Sequence, residues 1–258
     1  VTGPEGSDPI CHVLPAWDCI TGQMAALSLL AAERHRRLTG EGQLVELALK
    51  DVALAMLGNL GIIGEVTINQ YDRPKFGNAL YGAYAQDFLC ADGKRVMVAA
   101  ITPRQWDGLV AVTGMAAEFQ QLSQKLGLNL GLEGDRFKAR AGITELLKPW
   151  FAARRVDDFA RSLNESGITW SVFRSFAQTI AEDPDCSTAN PMFSVLEQPG
   201  IGSYLVPGSP LSFSAYDREP PTRAPLLGEH TDAILHEIGY SDSEIGALHD
   251  AKVVAGPS

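Results

Sequence analysis

One carboxylate stands where a long helix is expected to begin. Asp18 follows the segment His12-Val13-Leu14-Pro15-Ala16-Trp17, and the apolar residues after it recur at helical spacing as far as about Arg37. A carboxylate there faces unpaired backbone N–H groups and the positive end of the helix dipole, so it stays ionised. It can attack an activated carbonyl without a general base, and the N–H groups of Cys19 and Ile20 can hold the resulting oxyanion. Asp18 is also a favourable helix N-cap, which requires no chemistry.

Few other residues carry a chemical signal. His12 lies six residues before Asp18, and as a single imidazole in a loop it fits either substrate contact or a structural role. The run Tyr81-Gly82-Ala83-Tyr84 fits a mobile lid over a bound group or an aromatic cluster at the start of a strand. The four cysteines lack the spacing of a zinc site or a disulfide framework, so we expect no metal.

Composition limits the class of protein. With 258 residues, of which 45% are hydrophobic and 20% charged, the chain can bury a sizeable core. Its net charge of -10 argues against a nucleic-acid surface, and its longest strongly apolar uncharged run, Val52–Gly64, is short for a membrane span. We therefore expect a cytoplasmic protein that binds neither nucleic acid nor membrane. The chain opens on a loop-like segment without an initiator Met, from which we expect it to be part of a longer protein.

Residues 1–68 have the pattern of a layered α/β core. The first helix is followed by a predicted strand at Gln43–Leu49, and the leucines from Lys50 onward predict a second helix. A helix, strand and helix in succession are typical of an α/β layer. We expect this part to belong to a large domain that carries Asp18.

Residues 69–174 are predicted to form a smaller α+β domain, beginning at a polar passage rich in Pro and Gly. Tyr81–Leu89 and Arg95–Ile101 flank Asp92-Gly93, which is a strong hairpin signal. Thr102-Pro103 begins a helix with the N-cap and the proline in their favoured order. The remaining elements expected here are helices at Ala116–Gln124, Arg136–Ala153 and Val156–Ser166, and a strand at Thr169–Val172.

Residues 175–258 are predicted to form an extended linker that returns to the large domain. Repeated prolines exclude a long regular helix across its middle. The elements expected here are a helix to Glu182, strands at Met192–Glu197 and Ile201–Leu205, and helices at Glu229–Ile238 and Ser241–Val253.

Several motifs, in order along nearly the whole chain, together resemble the family III CoA-transferases. They are Trp17-Asp18, Arg37–Gln43, Lys50-Asp51, the hairpin from Tyr81-Gly82 to Lys94, and Leu227–Thr231. The resemblance implies an α/β fold with a Rossmann-like large domain, whose N-terminal part is absent from this chain, and a smaller α+β domain. It also implies an interlocked homodimer, or a separate chain that supplies the N-terminal part.

The resemblance further implies that Asp18 is a nucleophile that forms an aspartyl-CoA thioester with an acyl-CoA substrate. Coenzyme A is then part of the substrate, and no cofactor is expected. The candidate contacts to the acyl group are His12, Trp17, Tyr81, Gly82 and Tyr84. The candidate contacts to CoA are Arg73, Lys75 and Arg104.

Within the family, residues 12–18, 200–213 and 255–257 are most similar to a member that moves CoA between the C1 and C4 carboxyls of one dicarboxylate. Two other functions stay open: intermolecular transfer between succinyl-CoA and a dicarboxylic acid, and a non-catalytic partner subunit in which Asp18 is only a cap. In racemases of the family, an acidic residue falls at the position that precedes Pro103 in this chain, and this chain has Thr102 there. A hydroxyl does not titrate near neutrality, which argues against a racemase.

Overall fold

The computed structural model describes residues 2–11 and 13–257. These residues form eleven α-helices, five β-strands and one short 3₁₀-helix. They divide into two compact units, the first ending at Phe173 and the second beginning at Arg174. Both sheets within these residues are antiparallel, so the Rossmann-like sheet, like the division into three parts, stays a prediction.

Three helices open the first unit: α1 (Ala16–Thr39), α2 (Leu49–Asn59) and α3 (Ile62–Asn69). The chain breaks between α2 and α3 at Gly61, whose φ of 74° is left-handed and interrupts the regular helical path. In the described part of the chain, no single helix has the length and apolarity to cross a membrane. Taken together, α2 and α3 meet those two criteria, with a bend of 60° between them.

The strand predicted at Gln43–Leu49 was wrong. Residues 41–48 form no regular structure, and Leu49 is already the first residue of α2. The backbone at Ala48 is extended, with φ -101° and ψ 133°. A strand also needs a neighbour to pair with its N–H and C=O groups, and the described residues supply none here. The structure therefore shows extended backbone at Ala48 but no paired strand.

The helix that carries Asp18 is uncovered. None of the α1 side chains that the structure describes is buried, and Leu27 and Leu30 are 65% and 70% exposed. The apolar spacing predicted both the helix and its stripe of apolar residues. Helix α2 contacts α1, but within the described part of the chain Leu27 and Leu30 of that stripe stay exposed.

The first sheet is built on the predicted hairpin, which is confirmed. Strands β1 (Tyr84–Leu89) and β2 (Arg95–Ala100) pair antiparallel, with Phe88 opposite Val96, and β3 (Thr169–Val172) pairs with β2 on its other side. The sheet order is therefore β1-β2-β3.

Five helices accompany this sheet. The predicted N-cap Thr102 opens the first of them, and the structure adds a capping box between Thr102 and Gln105. The helix expected over Arg136–Ala153 is instead two helices that meet at Ala139. The five are α4 (Pro103–Thr113), α5 (Ala116–Leu126), α6 (Glu133–Lys138), α7 (Arg140–Ala152) and α8 (Val156–Glu165).

Aromatic side chains fill the core between this sheet and its helices. Phe88 of β1 and Phe151 of α7 are stacked with their ring centroids 4.4 Å apart, and Phe159 of α8 meets Phe151 edge-on at 5.2 Å. All three side chains are buried. Arg136 is also buried, and its guanidinium donates hydrogen bonds to the Leu130 carbonyl at 2.9 Å and to the Ile101 carbonyl. These bonds fasten the loop before α6 to the end of β2.

The second unit contains a hairpin and small helices. Strands β4 and β5 pair antiparallel, and the Gln198 side chain at the end of β4 exchanges two hydrogen bonds with the backbone of Ala224. The helix predicted to begin at Ser241 opens with a capping box between Ser241 and Glu244. The elements are α9 (Phe176–Glu182), the 3₁₀-helix Pro184–Cys186, β4 (Phe193–Gln198), β5 (Gly202–Pro207), α10 (Thr231–Glu237) and α11 (Asp242–Asp250).

We predict that Phe151→Ala lowers the free energy of unfolding by about 4 kcal/mol, because it opens a cavity beside Phe88 in the aromatic core. Phe176→Ala is the matched control, since that ring is 91% exposed and its removal opens no cavity. Urea denaturation followed by circular dichroism measures both variants. Equal losses in the two variants would contradict the assignment of the core.

Candidate active site

Asp18 occupies the first turn of α1 but is not its cap. The helix begins at Ala16, which makes Asp18 its third residue, and the N-cap is Pro15, with φ -74°. The prediction of Asp18 as N-cap was therefore wrong, because proline's fixed φ suits it to a helix start and the N-cap lies three residues earlier than expected. Within residues 2–11 and 13–257, the exposed Asp18 carboxylate has no hydrogen-bond or ion-pair partner.

The backbone donors beside Asp18 also differ from those expected. The Cys19 N–H donates to the Pro15 carbonyl at 3.1 Å, and Ile20 lies further inside the helix, so neither N–H is available to an oxyanion. The N–H groups of Trp17 and Asp18 come before this first helical bond. They are the first-turn donors that a helix leaves unpaired, and the described contacts give them no acceptor.

A shallow groove runs along α1 beside this carboxylate. Apolar atoms form most of its lining, which comes from Cys19, Ile20, Gln23, Met24 and Leu27. Trp17, beside Asp18, is also partly exposed. The carboxylate therefore lies next to an apolar surface on the same helix. His12, the other candidate in this region, lies outside the described residues.

Tyr81 and Gly82 form a constrained turn before β1. The Tyr81 hydroxyl donates to a carboxylate oxygen of Glu65 on α3, and the Arg73 guanidinium lies 3.7 Å from the centre of the Tyr81 ring. Gly82 has a φ of 82°, which a residue with a side chain adopts only with strain. Tyr81 as a residue remains 40% exposed, so it can still contact a ligand.

Tyr84 lies in the core. Its side chain is completely buried, and its hydroxyl lies 3.1 Å from the Thr144 hydroxyl of α7. Burial raises the pKa of this phenol well above its usual value. The position supports the aromatic-cluster interpretation of the run that begins at Tyr81. It does not support contact between Tyr84 and a substrate, because strand β1 directs this ring inward.

Two of the three cations proposed to bind CoA already have partners. Arg73 forms an ion pair with Glu65 at 2.7 Å, and Lys75 donates to the Ser7 carbonyl at 2.9 Å. Arg104 is exposed, and the contacts described for this chain give it no ion pair. The structure therefore brings Arg73 and Tyr81 together but shows no contact that joins Asp18 to either of them.

Glu65 is the residue that sequence reasoning missed. It joins Arg73 and Tyr81 across a chain reversal, eight and sixteen residues away. No local pattern marks such a pairing. The hydrogen bond from Tyr81 is the largest cause that lowers the pKa of Glu65, and the nearby Arg73 lowers it further.

In the motif Leu227–Thr231 near the end of the chain, Glu229 makes structural contacts. The Glu229 carboxylate is paired with Arg223 and accepts a hydrogen bond from the Leu226 N–H at 2.7 Å. These contacts lower the pKa of Glu229 to about 2, with the bond from Arg223 as the main cause. Among the described residues, no group of His, Cys, Asp and Glu is placed to hold a metal ion.

Comparison with known proteins gives consistent results. The model of CoA-transferase family III matches residues 1–231. The chain is 58% identical to 2-methylfumaryl-CoA isomerase of Chloroflexus aurantiacus over the whole of this chain and 63% of that protein. It is 25% identical to human succinyl-CoA:glutarate CoA-transferase, over 98% of this chain and 56% of that protein.

The fold is likewise similar to a solved structure. A CaiB/BaiF family protein from Brucella suis matches with a TM-score of 0.68 at 23% identity, over 92% of this chain and 59% of that one. The chain thus spans about three-fifths of the length of the relatives it matches. Because the family model matches most of this chain, the chain belongs to CoA-transferase family III.

Proposed function

We propose that the protein moves CoA between the C1 and C4 carboxyls of 2-methylfumaryl-CoA, also called mesaconyl-CoA, with Asp18 as the nucleophile. The observation that carries the proposal is an exposed carboxylate in the first turn of α1 that has no partner in the described part of the chain. Family membership and the name of the 58% identical relative support the type of reaction and the substrate.

The first half of the proposed reaction transfers CoA to the protein. An Asp18 oxygen attacks the thioester carbonyl, the C–S bond breaks, and CoA leaves as a thiolate, which gives a mixed anhydride. The thiolate then attacks the Asp18 carbonyl of that anhydride and breaks its C–O bond. The products are an aspartyl-CoA thioester and the free dicarboxylate, with no net gain or loss of a proton.

The second half runs the same steps in reverse through the other end of the acid. The dicarboxylate shifts in the site, and its second carboxylate attacks the Asp18 thioester. The released thiolate then attacks the substrate carbonyl of the new anhydride, which regenerates the Asp18 carboxylate. The unpaired N–H groups of Trp17 and Asp18 are suited to hold the oxyanions that form in these steps, because they are fixed donors in the first helical turn.

Intermolecular transfer is the second candidate function. The human relative is named for transfer between succinyl-CoA and glutarate, two separate acids. The same aspartyl-CoA thioester serves this reaction, but a different dicarboxylate then attacks it. The two candidates therefore differ in whether a free acceptor acid must be added.

The third candidate, a non-catalytic partner subunit, depends on Asp18 acting as a cap. Pro15 occupies the N-cap position instead, so this candidate loses the structural reason for a carboxylate at residue 18.

We predict that Asp18→Asn reduces conversion of the C1 ester to the C4 ester by at least about 10³-fold, because an amide cannot form the thioester. The assay incubates the protein with the C1 ester and no other acid, and it separates the CoA esters by chromatography. Thermal stability should stay close to that of the unaltered protein, since Asp18 makes no described side-chain contact.

Ser241→Ala is the matched control for this experiment. It removes a side chain that does cap a helix, so we expect a loss of about 1 kcal/mol of stability with conversion retained. Full conversion by Asp18→Asn would rule out Asp18 as the nucleophile. Conversion that requires an added acid, and still requires Asp18, would favour intermolecular transfer.

We also propose a homodimer in which a second copy covers α1. The support is the stripe of leucines that the described residues leave exposed, including Leu27, Leu29 and Leu30. Covering such a surface is favourable by about 25 cal/mol per Å² of apolar area. A separate chain that supplies the same cover is the alternative partner.

We predict that Leu27→Asp combined with Leu30→Asp converts the dimer to a monomer, because burying two carboxylates in an apolar interface is unfavourable. Analytical ultracentrifugation measures the mass in solution. Leu132→Asp is the control, since Leu132 is also exposed but lies outside α1. A monomeric unaltered protein, or a dimer that survives both substitutions, would contradict the proposal.

A further inference from the structure

Glu65 binds two residues of the passage before β1 at the same time. Its Oε1 atom accepts a hydrogen bond from the Tyr81 hydroxyl, and its Oε2 atom accepts from Nη2 and Nε of Arg73 at 2.7 and 3.0 Å. The side chains of Glu65 and Arg73 are only 12% and 18% exposed. Both oxygens of the carboxylate are therefore committed, and the ion pair is largely withdrawn from solvent.

The Tyr81 ring is consequently held from several directions. Glu65 fixes its hydroxyl, and the Arg73 guanidinium covers one face at 3.7 Å from the ring centre. Phe137 of α6 meets the ring edge-on at 5.2 Å. Because Arg73 is itself held by Glu65, two of these three contacts depend on the one carboxylate.

The chain after Tyr81 is fixed as well. Gly82 takes the left-handed conformation that reverses the backbone, and Tyr84 is locked into the core by burial and by its contact with Thr144. The turn between α3 and β1 is thus anchored at both ends. The exposed part of the Tyr81 ring is presented by a rigid support rather than by a flexible loop.

We propose that Glu65 is a positioning residue, which sets the orientation of the Tyr81 ring so that its exposed part forms a fixed wall for the acyl group. The inference rests on the proposed function and on the expectation from the sequence that Tyr81 and Gly82 contact the acyl group. It adds a residue on a different helix, and it assigns Arg73 to support of Tyr81 instead of to a CoA phosphate. The turn then acts as a fixed wall and not as a mobile lid.

The ionisation of the network agrees with this role. The bond to Glu65 is the largest cause that raises the pKa of Tyr81, and Tyr71 raises it further while Arg73 lowers it. The pKa of Glu65 is lowered by the same bond and by Arg73. At neutral pH the phenol is therefore the donor and the carboxylate the acceptor.

A spectroscopic titration tests the contact independently of activity. The absorbance of Tyr81 is isolated as the difference between the protein and Tyr81→Phe as the pH is raised. We expect Glu65→Gln to lower the pKa of Tyr81 toward its ordinary value, because the negative acceptor is gone. Glu165→Gln, which breaks an exposed ion pair with Arg161, should leave it unchanged. An unchanged Tyr81 pKa in Glu65→Gln would overturn the proposed contact.

A kinetic double-mutant cycle tests the role. We expect Glu65→Gln and Tyr81→Phe each to raise KM for the CoA ester by about three- to tenfold, with kcat changed less than about twofold, because they loosen a binding wall and leave Asp18 intact. If Glu65 acts through Tyr81, the double variant should raise KM by less than the product of the two single effects. Effects that multiply, or losses confined to kcat, would overturn the inference.

The same assay separates this inference from the proposed function. Conversion that does not depend on Asp18 would remove the proposed function whatever the cycle shows. Conversion that depends on Asp18, combined with KM effects that multiply, would leave the proposed function in place and reject the positioning role of Glu65.

Discussion

The packing of β1 against α7 is the interaction on which the described first unit depends. Phe88 stacks on Phe151 there, and Tyr84 places its hydroxyl beside Thr144 on the same helix. Burial of these rings, favourable because it removes apolar area from water, fixes the start of β1. The turn at Tyr81 and Gly82 takes its position from that strand. A core contact thus determines the geometry of residues proposed to contact substrate.

The proposed nucleophile has the opposite environment. Helix α1 has no buried side chain among those described, and Asp18 makes no described side-chain contact. What the helix supplies is local: a carboxylate, two unpaired N–H groups and the positive end of a dipole in one turn. These features suffice to stabilise an oxyanion that forms beside the carboxylate. Exclusion of water from the reaction requires a cover over α1, which is the role proposed for the second copy.

Sequence predicted the elements whose causes are local. The Asp92-Gly93 hairpin and the helix starts at Thr102 and Ser241 depend on residues a few positions apart. Features that depend on distant partners were either missed or predicted incorrectly. Gln43–Leu49 lacks a strand to pair with, Glu65 reaches Tyr81 sixteen residues away, and Arg136 is buried against the Ile101 carbonyl. For Asp18, sequence located the N-cap within three residues, but that difference decides between a cap and an unpartnered carboxylate.

The most direct test of the central claim is to locate CoA on the protein. The protein is mixed with 2-methylfumaryl-CoA, quenched with acid during turnover, digested, and its peptides are weighed by mass spectrometry. We predict that the peptide containing Asp18 carries CoA through loss of one water, and that the Asp18→Asn variant shows no such peptide. CoA attached at another residue, or turnover with no CoA-bearing peptide, would contradict the aspartyl-thioester mechanism.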